Sequence, residues 1–263
     1  MNIKESVEQA IKKLKEVNPL VHNITNSVVM EINANVLLAI GASPVMSTEG
    51  DEFEDMLSIA SSLVVNIGTL EKISIDNMFK AVEIANKKNV PFVLDPVGVG
   101  ATKLRTDTAL ELIKKGKPKI VRGNASEIMA LAGANAQTKG VDSTASTNMA
   151  LESAKVLAKN NNMVVSVSGE TDIITDGDKV YYVDGGSKLM TYVTGCGCSA
   201  TAVTGAMLGV SEPLVAGVSA MGIMASAGEK ASKIANAPGS FKVALIDELY
   251  NLNINDIINR IRE

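Results

Sequence analysis

The sequence predicts an α/β fold: a mainly parallel central sheet with helices on both faces. Three observations carry this. Helical patterns alternate with short β-rich runs along most of the chain, the signature of βαβ units. Runs such as Ser62–Ile67 are apolar and β-branched throughout, as in strands covered on both faces. One later stretch, Asp172–Val183, alternates instead and adds an antiparallel hairpin at one edge.

Taken in order, Ser6–Val17 has helical apolar spacing and stops at Asn18-Pro19. Glu31–Ile40 reads as a buried helix closed by Gly41. Ser62–Ile67 is a strand bounded by Gly68, Ile73–Lys87 a helix, and Pro91–Leu94 a strand ending at Asp95-Pro96. Thr106–Lys115 is helical, Lys119–Val121 is a short strand before Arg122-Gly123-Asn124, and Ser126–Ala132 is helical. A longer helix covers about Asn148–Lys159, followed by a strand at Met163–Val167. The hairpin turns at Asp176-Gly177-Asp178. From Cys198 onward everything reads as helix, including a small-residue, buried helix around Leu214–Gly228 that is short for a membrane span. No linker or repeat appears, so residues 1–263 are read as a single domain.

Composition excludes several classes. Hydrophobic residues are 46% and charged residues 21%, which argues against disorder. The net charge is −4, with no basic stripe and no Trp, so nucleic acid is not an expected partner. Two cysteines and one His leave too few ligands for a structural zinc site. Free thiols suit a reducing cytoplasm. The acidic, amphipathic start Asn2–Glu8 does not fit a targeting peptide.

Ligands of such sheets collect at the carboxyl ends of the strands. That rule makes Gly68, Asp95, Arg122–Asn124 and Ser168 converge on a candidate site. Val193-Thr194-Gly195-Cys196-Gly197-Cys198-Ser199-Ala200 is a glycine-rich turn that opens a helix. Its N–H groups and the helix dipole would cradle an anion, although the same pattern also serves as a packing turn. No GxxxxGKS/T is present, so this is not a P-loop. Gly195, Gly197 and Ala200 match GxGxxG/A, but a dinucleotide fingerprint needs a following strand and only helix follows. For Cys198 the loop context leaves two readings open, a residue beside a reacting group or a half-buried packing residue. The helix N-terminus favours thiolate character there.

Six segments together resemble the hydroxyethylthiazole kinase family of thiamin salvage, within the ribokinase-like superfamily. They are Pro19–Asn26, Gly41–Met46, Asn66–Thr69, Asp95–Gly100, Arg122–Glu127 and Thr194–Cys198. They lie in the expected order within about residues 19–209. The resemblance implies a three-layer αβα fold and a homotrimer with active sites at subunit interfaces. It also implies ATP, Mg2+ and 4-methyl-5-(2-hydroxyethyl)thiazole as reaction components.

The resemblance assigns roles as well. Asn26, Met46 and Gly68 would bind the thiazole, with Gly195 completing the acceptor site. Asp95 and Glu127 would manage Mg2+. Arg122 and Ser168 would contact the nucleotide. Gly195, Cys196, Gly197 and Cys198 would form an anion hole for the moving phosphoryl group, with Cys198 the catalytic position. Most ribokinase-like enzymes carry Asp where this chain has Cys198, while this branch commonly has Cys. A thiol pKa of about 8.5 makes Cys198 a weak base unless its setting lowers that value. Cys196, where Thr or Ala is more usual, is read as packing, and His22 as a structural, hydrogen-bonded residue. The alternatives are a kinase of another heterocyclic alcohol, such as hydroxymethylpyrimidine, and a non-catalytic nucleotide-binding protein. Retention of Asp95, Glu127 and the cysteine loop argues against the latter.

Overall fold

The computed structural model describes residues 2–133 and 143–263. The chain opens with α1 (Ile3–Val17), started by a capping box between Asn2 and Glu5 and ended by a left-handed Asn18 before Pro19. Then come β1 (Leu20–Ile24), α2 (Met30–Ile40), β2 (Ser43–Val45), α3 (Phe53–Ile59) and β3 (Ser62–Asn66). Next are α4 (Lys72–Lys88), β4 (Phe92–Asp95), α5 (Lys103–Gly116), β5 (Ile120–Asn124), α6 (Ala125–Leu131), α7 (Ser143–Asn161) and β6 (Val164–Ser168). The hairpin is β7 (Thr171–Thr175) and β8 (Val180–Asp184), and the chain ends with α8 (Cys196–Leu208), α9 (Pro213–Ile234), α10 (Pro238–Tyr250), α11 (Ile254–Ile258) and β9 (Ile261–Arg262).

The described strands form one sheet in the order β2-β1-β3-β4-β5-β6-β7-β8-β9. It is parallel from β2 to β6 and antiparallel beyond. The expected three-layer αβα architecture is therefore present. Each apolar strand feeds both faces. Val64 joins a core with α1, α2, α8, α9 and α10, while Leu63 and Val65 join the opposite core with α3 to α7. The period-two alternation of side chains is real here but invisible in the sequence, because both faces are dry.

The structure corrects the reading of the C-terminal part. Helix α8 begins at Cys196, not Cys198, and the last residues are strand β9, paired to β8 through Tyr182↔Arg262 and Val183↔Ile261. Two residues are too few to show a period. That strand is antiparallel, so it does not complete a dinucleotide-binding βαβ unit. β1 and β2 also carry no strand signal: buried His22 and Asn23 interrupt β1, and β2 is a three-residue edge strand containing Pro44. The small-residue helix is α9, buried over Ala216–Gly228, and among the described residues no helix is long and apolar enough to cross a membrane.

Candidate active site

The parallel strands all deliver their carboxyl ends to one rim, and the register fixes which residues meet there. Asn66 and Asp95 are paired across β3 and β4, and Asn124 and Ser168 across β5 and β6. Helix α8 runs over this rim, with Thr201 one turn inside.

Asp95 is buried at the end of β4, and its Oδ2 accepts from Asn66 Nδ2 at 2.8 Å and from Thr201 Oγ1 at 2.7 Å. Burial pushes its carboxyl up to about 6, against the pull of Arg122 and the two hydrogen bonds. Oδ1 makes no hydrogen bond among the described residues. Asn66 is a junction: its Oδ1 accepts from Asn26 Nδ2 at 2.8 Å and from Gly68 N–H at 2.9 Å. The Gly68 donor fixes which end of the amide is oxygen, so Asn66 must offer its NH2 to Asp95. Asn26 Nδ2 also donates to Cys198 Sγ at 3.5 Å. Asn26 lies so close over Gly68 that a Cβ there would come within 2.6 Å of Asn26 Nδ2.

Gly195 is the N-cap of α8 at φ 98, where a side chain would be strained. No side chain caps this helix, and among the described residues the Gly197 and Cys198 N–H groups have no acceptor. Gly197 O in turn accepts from Arg122 NH1 at 2.9 Å, so a buried guanidinium braces the first turn. Cys198 occupies the third helical position, and its environment does not favour thiolate. Burial and nearby Asp95 hold the thiol above its ordinary value, outweighing the Asn66 and Asn26 amides and Arg122. Buried Cys196 packs in the core, and burial raises its thiol to about 11.

Glu127 heads α6 as half of a capping box with Asn124: its Oε2 accepts Asn124 N–H at 2.8 Å, and Asn124 Oδ1 accepts Glu127 N–H at 3.0 Å. Its Oε1 accepts Gly98 N–H at 2.8 Å, which ties the Asp95–Gly100 loop to α6. Arg122 and Ser168 line a cavity of about 1010 Å³ whose other walls include Cys196, Gly197, Asp172, Asp184–Lys188, Met221 and Met224. Met46 stands apart from this hydrogen-bonded set. It follows β2 and packs, half-buried, on the core face that also receives Cys198. His22 is fully buried, its ring 5.5 Å from that of Phe53 and its Nε2 at 3.1 Å from Ser47 O, and burial lowers its pKa.

The structure thus joins Asn26, Gly68, Asp95 and Cys198 in one chain of contacts, and Arg122 with the glycine loop. It adds residues the sequence did not single out. Asn66 was visible only as part of a matching segment. Thr201 sits one helical turn beyond Gly197, a spacing that places it on the Asp95 side once α8 is known. Asp172, read only as hairpin, is held at about 6 by burial, with Gly169 N–H and Arg122 pulling down.

The Hydroxyethylthiazole kinase family profile matches residues 11–255. A hydroxyethylthiazole kinase of Brachyspira hyodysenteriae is 69% identical over 261 residues, covering 99% of both chains. That of Pyrococcus furiosus is 49% identical over 253 residues, 96% of this chain and 95% of its own. The solved structure of a hydroxyethylthiazole kinase protein from Pyrococcus horikoshii superposes with a TM-score of 0.91 at 43% identity, covering 98% of each chain. A pyridoxal kinase from Staphylococcus aureus, solved with ADP, shares the fold with a TM-score of 0.62 at 20% identity, over 81% of this chain and 88% of its own. This chain belongs to the hydroxyethylthiazole kinase family.

Proposed function

We infer that this enzyme transfers the γ-phosphoryl group of ATP to the hydroxyl of 4-methyl-5-(2-hydroxyethyl)thiazole, giving the phosphate monoester used in thiamin salvage. Full-length identity of 69% to a named hydroxyethylthiazole kinase supports the reaction. The observation that carries the mechanism is the position of the first turn of α8. On one side Cys196 and Gly197 face the large cavity, and on the other Cys198 touches Asn26. The turn is a shared wall between a nucleotide-sized space and an acceptor pocket.

The chemistry follows from that wall. The cavity takes ATP, with the Arg122 fork and Ser168 toward its phosphates. The acceptor sits over Asn26, Gly68 and Met46. Because Asn26 spends its NH2 on Asn66 and Cys198, it presents Oδ1, an acceptor suited to an alcohol O–H. The Gly197 and Cys198 N–H groups then face charge building on the phosphoryl oxygens, where one well-placed donor contributes roughly 3–4 kcal/mol. Phosphoryl transfer through a loose transition state asks mainly for alignment and charge stabilisation. A protonated Cys198 is consistent with this, since it fills the wall and accepts the Asn26 amide without serving as a base.

Mg2+ fits the residues present. Among the described residues Asp95 keeps Oδ1 unengaged, and Glu127, with both oxygens accepting backbone N–H, suits contact through water. Among the described residues there is no cluster of three metal-binding side chains, and Mg2+ needs only one or two carboxylates beside phosphates and water. When bound, it would neutralise phosphate charge.

We read residues 1–263 as one kinase domain, working as a homotrimer in the cytoplasm. Exposed Val28, Leu38, Val243 and Tyr250 support self-association, with Val28 two residues from Asn26. Mass spectrometry after incubation with Mg-ATP and hydroxyethylthiazole, with hydroxymethylpyrimidine in parallel, tests the reading. Appearance of the thiazole phosphate is expected, and its absence would overturn it.

A further inference from the structure

Arg105, on the first turn of α5, is half-buried and makes no ion pair among the described residues. All the hydrogen bonds of its side chain go to backbone carbonyls in two loops. NH1 donates to Ile67 O at 2.7 Å and Val97 O at 2.8 Å, and NH2 donates to Gly68 O at 2.8 Å. The first loop leaves β3 and carries Gly68. The second leaves β4 just after Asp95. The guanidinium stem also fills the space over Gly98, where a Cβ would meet Arg105 Cδ at 3.1 Å.

Gly68 is therefore pinned from three directions: Arg105 holds its carbonyl, Asn66 Oδ1 holds its N–H, and Asn26 lies against its α-carbon. Gly98 N–H is held by Glu127 Oε1. A cation that satisfies loop carbonyls rather than a carboxylate fixes backbone position, because the planar fork dictates where each oxygen lies. Neither loop belongs to the wall of the large cavity.

We propose that Arg105 is a positioning residue that locks the acceptor floor at Ile67–Gly68 to the Asp95–Gly98 loop, and so sets the acceptor against the phosphoryl group without helping to hold the nucleotide. This rests on the kinase reading above. One ammonium cannot reproduce three carbonyl contacts at two separated loops, so Lys is not a conservative replacement here.

The test is steady-state kinetics of Arg105→Lys and Arg105→Ala with hydroxyethylthiazole and ATP varied separately, alongside melting curves. For Arg105→Lys, kcat/KM for the thiazole should fall at least tenfold while KM for ATP stays within twofold. Added guanidinium should restore part of the Arg105→Ala activity, and ammonium at equal ionic strength should not. If Arg105→Ala does not fold, Arg105→Lys decides alone. Unchanged thiazole kinetics in Arg105→Lys, or equal rises in both KM values, would overturn the proposal. An inactive wild-type chain would instead overturn the kinase reading.

Discussion

Asn66 Nδ2 donates to Asp95 Oδ2 across 2.8 Å, at the paired ends of two adjacent parallel strands. Thr201 Oγ1 donates to the same oxygen, which leaves Oδ1 without a hydrogen bond among the described residues. The carboxylate is thus aimed by a strand neighbour and by α8 at once.

Asn66→Asp keeps an acceptor for Gly68 N–H and Asn26 Nδ2 but sets a second carboxylate against Asp95. Asp95 stands at about 6 because burial outweighs its donors, and a like charge raises it further. The acid limb of the kcat/KM profile should begin near pH 6 in the wild type and move up by about one pH unit in the variant. Superimposable profiles would contradict the arrangement.

Asp95→Asn should trade activity for stability. The folded carboxyl sits at about 6, above its ordinary 3.8. Between those values the folded chain holds a proton that the unfolded chain has released. The stabilisation this gives exists at low pH and is lost as the pH rises through about 6. At neutral pH the buried charge therefore costs stability, at most roughly 3 kcal/mol. The neutral amide should raise the unfolding midpoint at pH 7.5, less so at pH 4.5, while turnover disappears. Denaturant titration at the two pH values reads this directly.

Cys198→Ala should retain turnover within about tenfold, because removal of a general base costs about 10²–10⁴. Cys198→Asp should also remain a working kinase, since Asn26 Nδ2 can donate to its carboxylate. Alkylation of Cys198 by iodoacetamide at pH 7 should be slower than that of a free thiol, as burial keeps it protonated. An alanine variant that is folded but silent would make the thiol essential.

Gly68→Ala and Gly197→Ala separate the two pockets. A Cβ at Gly68 enters Asn26, whereas one at Gly197 comes within 3.2 Å of Arg122 NH1. The first should raise KM for the thiazole by about tenfold, and the second should lower kcat and weaken ATP, each about 1–2 kcal/mol in effect. Titrating each substrate against both variants distinguishes them.

Much of this molecule is legible in its sequence. The helix stops at Asn18-Pro19 and Gly41, the buried strands around Val64, Val93 and Val165, and the glycine turn before a helix are local, and local chemistry writes them. The rule that ligands gather at strand ends pointed to Asp95 and Ser168, which do end β4 and β6, whereas Arg122 lies inside β5, two residues before its end. β1 and β9 were not legible. Polar His22 and Asn23 inside a strand become reasonable only when a neighbouring loop accepts the imidazole, and Ile261–Arg262 is a strand only because β8 lies beside it. The roles of Asn66, Thr201 and Arg105 were likewise decided by tertiary structure. An amide, a hydroxyl and a guanidinium acquire direction from partners at sequence separations of 29, 106 and 38 residues. The charge state of Cys198 follows the same logic. A helix N-terminus lowers a thiol's pKa, burial beside Asp95 raises it, and only the packed structure sets their balance.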